Sequence, residues 1–414
     1  MEDALSYRGG RGTTRRRYFL VVAAMLVVIN VATFIYHMTA SALFNGVGNA
    51  VSIVLILYSA HIWLDSSGRF TAASKYVVVA TGLVALSFVA NLTVASLIDS
   101  IKYLAIYVVY AAGRSCPIRQ TTAETNCLYT LAALPIAFLL IGSSKVYPPE
   151  SLAYLPNANT AALYFSAILF ALAPQLGLGA LVLQFVNAAL MNKVGAAVAT
   201  IAALTIWLIL PVRRGSFLVA ASLVGMLVAA GLIAHMLGVF DRLGTAVDSV
   251  RLIVALEPAT IATMPYKELV EITGTKDLSA FFRIIHWWNI WSLYTSQGIS
   301  TVLFGYGAGQ TKYLAYAPLP PHNDYLRVLA EYGLLNAAVF VAFLLHVVRS
   351  VKVMQARVLF IVLMIYMFSE NLIDNFTSMI LYFAYAGRMA AANLHVVGST
   401  RAVDVDRESS PAPA

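Results

Sequence analysis

Residues 18–64 run forty-seven positions without an Asp, Glu, Lys or Arg. A helix rises 1.5 Å per residue and needs about 20 apolar residues to cross a bilayer, so this stretch predicts two spans, near Tyr18–His37 and Ala42–Leu64. The rest of the chain is consistent with that start. Hydrophobic residues make up 60% of it and charged residues 11%, with a mean hydropathy of +0.79, which excludes an ordinary soluble globular protein. Arg8, Arg11, Arg15, Arg16 and Arg17 precede the first span and hold residues 1–17 as a cytoplasmic tail by the positive-inside rule. The run Thr14–Leu20 has the twin arginines of an export signal and Ala40-Ser41-Ala42 the small residues of a cleavage site. A second apolar run follows at once, so the first is read as a retained span.

The balance of 27 basic against 19 acidic residues gives a net charge of +8. In a chain this apolar, a basic excess signals cytoplasmic loops and anionic lipid headgroups; nucleic acid is not an expected partner. Cys116 and Cys127 lie near a loop assigned to the cytoplasm and predict neither a disulfide nor a metal site.

Counting crossings between the basic loops predicts an all-α polytopic membrane protein of about twelve transmembrane helices. Nine fall in residues 18–238, with 151–192 counted as two and broken near Ala173–Gly177. Residues 239–333 form a periplasmic cap with amphipathic helices, since Pro258, Pro265 and Gly274 interrupt them and no apolar run is long enough to cross. Three more spans occupy 334–397 around the cytoplasmic loop of Arg349, Lys352 and Arg357, and 398–414 is a disordered cytoplasmic tail. Asp99 and Lys102, three apart in one span, predict a local neutralising pair.

The polar chemistry gathers in the outer segment. Pro320-Pro321-His322-Asn323-Asp324 ends a loop and starts a helix, with Asn323 or Asp324 as the cap. His322 therefore sits where a wet loop becomes a buried helix, a place for a proton acceptor. Tyr325 shares its helix face, and Glu331, nine residues on, is read either as a local hydrogen-bonding group or as one that orients the imidazole. Upstream, Leu278–Tyr294 places Phe281, Phe282, Ile285, Trp288 and Trp291 on one apolar face, an interfacial helix whose tryptophans belong at headgroup level and whose Arg283 matches a phosphate. Gly305, Tyr306, Gly307 and Lys312 form a loop whose backbone N–H groups suit an anion or a plain turn. The D-x-D string of metal-dependent glycosyltransferases occurs as Asp404-Val405-Asp406, in the tail and away from this segment, so no metal is expected.

The ordered motifs Arg283-Ile284-Ile285-His286-Trp287-Trp288, Phe304-Gly305-Tyr306-Gly307-Ala308-Gly309 and His322-Asn323-Asp324-Tyr325-Leu326 through Glu331 and Gly333 resemble the bacterial O-antigen ligase and O-antigen polymerase family. The resemblance implies a membrane glycosyltransferase facing the periplasm of the inner membrane, transferring a glycan from undecaprenyl diphosphate to a sugar hydroxyl with inversion and without cofactor or metal. It implies that His322 takes the acceptor proton and that Arg283 holds the lipid diphosphate, with Asn323, Tyr325, Glu331, Gly305, Tyr306, Gly307 and Lys312 around the substrates. The acceptor is a lipid A core in a ligase or a second lipid-linked glycan in a polymerase, and the ligase reading is preferred. Arg213-Arg214 stand where the family places an outer diphosphate-binding arginine, whereas the parity of crossings puts them inside as anchors; both readings remain open. A transporter of lipid-linked oligosaccharides is the non-enzymatic alternative, and it predicts charges along a central path and an internal repeat, which is not evident in the sequence.

Overall fold

The computed structural model describes residues 2–66, 72–89, 92–116, 120–140, 155, 158–191, 194–209, 239–274, 279–314 and 320–391, with single positions between 225 and 235. Every element of regular structure in the described part is helical. The first eight helices are α1 (Glu2–Thr39), α2 (Ala42–Asp65), α3 (Ala72–Val89), α4 (Val94–Arg114), α5 (Thr122–Leu140), α6 (Ala158–Leu176), α7 (Leu178–Leu190) and α8 (Val194–Ile209). Six short to medium helices follow: α9 (Val239–Leu256), α10 (Pro258–Thr263), α11 (Tyr266–Thr273), α12 (Ser279–Thr295), α13 (Ile299–Phe304) and α14 (Thr311–Leu314). The chain then returns to apolar helices in α15 (Asp324–Ser350), α16 (Met354–Tyr366) and α17, residues 376–391.

Among the described residues six helices are long and apolar enough to cross a membrane: Arg17–Thr39 of α1, then α2, α3, α4, α6 and α15. This is an α-helical, multi-pass membrane protein. α7, most of α8 and α16 are apolar but shorter, and at 1.5 Å per residue the 13 residues of α7 reach about 20 Å, less than a bilayer core. The expected break in 151–192 is real. Gly177, with a φ of +55°, separates α6 from α7 just past Pro174, a left-handed turn that glycine adopts without the Cβ clash of other residues.

Two close approaches lock the bundle. α17 crosses α4 at Gly113 and Gly387, where any side chain would meet the backbone of Ala384 or Tyr110, the small-residue contact that lets membrane helices touch. Farther along α17, Arg388 pairs with Glu124, which also accepts from the Tyr385 hydroxyl at 2.7 Å, and the guanidinium lies 4.3 Å from the Phe19 ring centroid. The other approach lies beside the outer motifs. α15 is broken at Gly333, whose φ of +80° and ψ of 173° belong to glycine alone, so 324–332 and 334–350 are separate helical pieces. A Cβ on Gly333 would meet the Leu303 carbonyl, and one on Gly305 would meet the Glu331 carbonyl. Gly305→Ala or Gly333→Ala is therefore expected to cost about 1–3 kcal/mol each, read as a lower unfolding temperature of the detergent-solubilised protein.

Residues 239–314 carry a small core of their own, Ile253, Ile261, Leu269 and Phe281, joining α9 to α12. α12 also packs on α15, which brings the aromatic helix against the start of the His322 helix.

Candidate functional site

His322 and Arg283 meet on one carboxylate. Glu370, in the irregular segment between α16 and α17, accepts from Arg283 Nη2 through Oε1 at 2.8 Å and contacts His322 Nδ1 through Oε2 at 3.3 Å. A carboxylate only accepts, so Nδ1 carries a proton, and in the neutral tautomer Nε2 has the lone pair. Glu370 is nearly buried, whereas the Arg283 and His322 side chains each keep about a third of their surface exposed, 32% and 34%. Arg283 and His322 are thus partly open to solvent while the residue that joins them is not.

Local structure fixes the imidazole from both sides. His322 has a φ of +50°, rare for a non-glycine residue, and Trp287 of α12 donates its indole N–H to the carbonyl of Pro321 just before it. Strained backbone of this kind persists only where the surroundings over-determine it, and it concentrates at functional sites. The Trp287 ring supports the His322 loop and meets Phe368 edge-on at 5.6 Å, while Trp288 and Trp291 are 40% and 45% exposed.

Asp324 ties the Glu370 segment to α15. Its backbone N–H donates to Met367 O at 2.9 Å, and its Oδ2 accepts from the N–H groups of Leu372 (2.7 Å) and Ile373 (3.2 Å). Both ends of the stretch bearing Glu370 are thereby pinned to the residue two past His322. Asp324→Ala leaves two buried N–H groups without partners; a loss of about 2–5 kcal/mol is expected in thermal unfolding, with activity falling in parallel.

Other residues singled out in the sequence serve packing. Asn323 is the cap, accepting from Leu326 N–H at 3.0 Å, and the Tyr325 hydroxyl donates to Met364 O at 2.8 Å. The N–H groups of Gly305, Tyr306 and Gly307 are spent on the carbonyls of Thr301, Ala330 and Glu331, and the Tyr306 hydroxyl on Leu293 O. Glu331 is fully buried and pairs with Arg327 (3.2 Å) and the Thr311 hydroxyl, so it belongs to a second cluster. That cluster corrects the Asp99–Lys102 pairing. Asp99 Oδ2 instead meets Lys312 at 3.3 Å and Arg327 at 3.7 Å, while Arg327 Nη1 reaches Asp374 at 2.8 Å. Arg213 and Arg214 lie outside the described residues.

No family model matches the chain, and no curated protein does. The chemistry therefore rests on the residues themselves. Among those described, no group of three or more His, Cys, Asp and Glu side chains is placed to hold a metal ion. What is assembled is an imidazole held by a carboxylate, beside a guanidinium that donates to the same carboxylate and keeps about a third of its side chain exposed. Such a set suits displacement in which a hydroxyl loses a proton while a phosphate departs.

Proposed function

We propose that the protein is a membrane glycosyltransferase of the O-antigen ligase and polymerase kind, moving a glycan from undecaprenyl diphosphate to a sugar hydroxyl at the periplasmic face of the bacterial inner membrane. The observation that carries this reading is the shared contact of His322 and Arg283 with Glu370. In the proposed reaction the acceptor hydroxyl gives its proton to His322 Nε2 as its oxygen bonds to the anomeric carbon. The bond from that carbon to the diphosphate oxygen breaks, and Arg283 meets the departing charge. Attack opposite the leaving group inverts the anomeric centre. Diphosphate leaves readily, so neither nucleotide nor metal is required. Twelve crossings with both termini in the cytoplasm would put residues 239–333 outside as the cap over the site.

The acceptor favoured is a lipid A core. The protein purified in detergent, given the lipid-diphosphate glycan and rough lipopolysaccharide, is expected to form product without added metal. Arg283→Ala should lower transfer by about two orders of magnitude, the effect of losing roughly 3 kcal/mol of preorganised charge stabilisation. Wild-type levels of product from both Arg283→Ala and His322→Ala, or movement of the lipid across the bilayer with no new glycosidic bond, would sink the proposal. In a deletion strain, lipid-linked polymer beside bare core marks a ligase, and core capped with single repeats marks a polymerase.

A further inference from the structure

A cavity of about 690 Å³ opens between α1, α2, α4, α6 and residues 371–377, within the size range of small-ligand sites. Asn30 and Thr33 of α1 and Asn45, Asn49 and Ser52 of α2 line it. The three on α2 are spaced i, i+4, i+7 and so form one stripe on a helix that is otherwise apolar enough to span the membrane.

Polar side chains in a bilayer segment usually serve as glue between helices. These do not. Asn30 donates to Leu26 O (2.6 Å), Thr33 to Ile29 O (2.8 Å), Ser52 to Gly48 O (2.8 Å) and Asn49 to Asn45 Oδ1 (3.4 Å), every bond running along the helix that carries it. Across the cavity stand Asn371, Asn375 and Thr377, and Asn371 Oδ1 is shielded from solvent without a hydrogen-bond partner.

The lining selects a class of ligand. Its charged members among the described residues are Lys102 and Asp374, and Asp374 is already held by Arg327 at 2.8 Å, so the cavity meets a diphosphate with a single ammonium and no guanidinium fork. A bare polyprenyl chain would give no partner to the amide atoms that the intrahelical bonds leave over, at a cost for each. Carboxamides present a donor and an acceptor side by side, which matches neighbouring hydroxyls, and Tyr36, Phe44 and Ile53 offer surface to the apolar face of a sugar ring.

We propose that this cavity binds uncharged sugar residues of the acceptor glycan, as a site separate from the Arg283 anion site. The assignment rests on the glycosyl-transfer reading and deepens it: the wall at 371–377 begins at the residue after Glu370, so an acceptor seated there abuts the segment that steadies His322.

The test uses the full chain in detergent with three probes: lipid-free core oligosaccharide, lipid-free repeat-unit oligosaccharide and bare undecaprenyl diphosphate. In binding titrations, Asn45→Leu/Asn49→Leu is expected to bind one of the two oligosaccharides at least tenfold more weakly than wild type, with its affinity for undecaprenyl diphosphate unchanged. The oligosaccharide that loses affinity names the source, core or repeat unit. Ser52→Leu, one turn farther along, should weaken the same probe, and it decides the matter if the double variant unfolds at a lower temperature than wild type. Equal oligosaccharide affinity in wild type and variants, no oligosaccharide binding at all, or an equal loss for undecaprenyl diphosphate overturns the proposal. Binding is read without turnover, so a wild-type protein that binds oligosaccharide through this cavity yet forms no glycosidic bond would defeat the transferase reading alone.

Discussion

Glu370→Ala is expected to lower the turnover of glycan transfer by about 10²–10⁴-fold, the range for loss of a positioned base or of the carboxylate that orients it. Glu370 touches neither substrate in the proposed reaction. It acts through His322, by holding the Nδ1 proton at 3.3 Å and leaving Nε2 as the acceptor. Because the same carboxylate engages Arg283 at 2.8 Å, its removal frees a guanidinium donor for the diphosphate. The donor KM should therefore stay level or fall while kcat collapses, a split that a merely destabilised protein would not give. Glu370→Gln keeps an oxygen that can accept from Nδ1 and loses the charge, so an intermediate kcat is expected. Unchanged kcat in Glu370→Ala would remove the residue from the mechanism.

Arg327→Ala is expected to cost about 3–5 kcal/mol in stability, the penalty for breaking a buried ionic cluster from one side. Arg327 is 3% exposed and faces Glu331, Asp374 and Asp99 at 3.2, 2.8 and 3.7 Å. Without it three carboxylates face one another with Lys312, on Asp99 at 3.3 Å, as the cation of the cluster that remains. Arg327→Lys should recover only part of the loss, since an ammonium has no planar fork to spread over three partners. Burial pushes the Asp374 carboxyl up, and Arg327 together with Lys312 and Lys102 more than offsets it, leaving it below the ordinary value of 3.8. Its stabilising contribution is therefore complete above that value and disappears as the pH falls through the lowered one. Thermal unfolding of wild type and the two variants in detergent, repeated as the pH is lowered through the carboxylate range, measures both effects; a wild-type melting temperature for Arg327→Ala would contradict this account of the cluster.

What the sequence disclosed follows the range of the forces involved. The α1–α2 pair, the break at Gly177 and the Asn323 cap depend on neighbours within a turn or two, so composition and spacing carried them. Asp99 fails the same logic: the i,i+3 rule offers Lys102, yet the partners taken are Lys312 and Arg327, more than two hundred residues away. Gly305 and Gly307 were legible as glycines that something approaches closely. That the approaching group is the Glu331 backbone, and not an anion, depends on how α13 crosses α15. Glu370 is harder to see because it falls within 334–397, a stretch whose apolar composition reads as spans. The signal for it was present in Ser369-Glu370-Asn371 and Asp374-Asn375, too many polar groups for the end of a bilayer helix with nothing to bind.

The staple made by Asp324 has a bearing on biogenesis. His322 and Arg283 leave the ribosome well before Glu370, and Asp324 has nothing to grip until the backbone of 367–373 arrives. A partly synthesised chain already inserted through α15 thus holds an unsupported imidazole. In the proposed reaction, competence therefore switches on only when the closing helices dock.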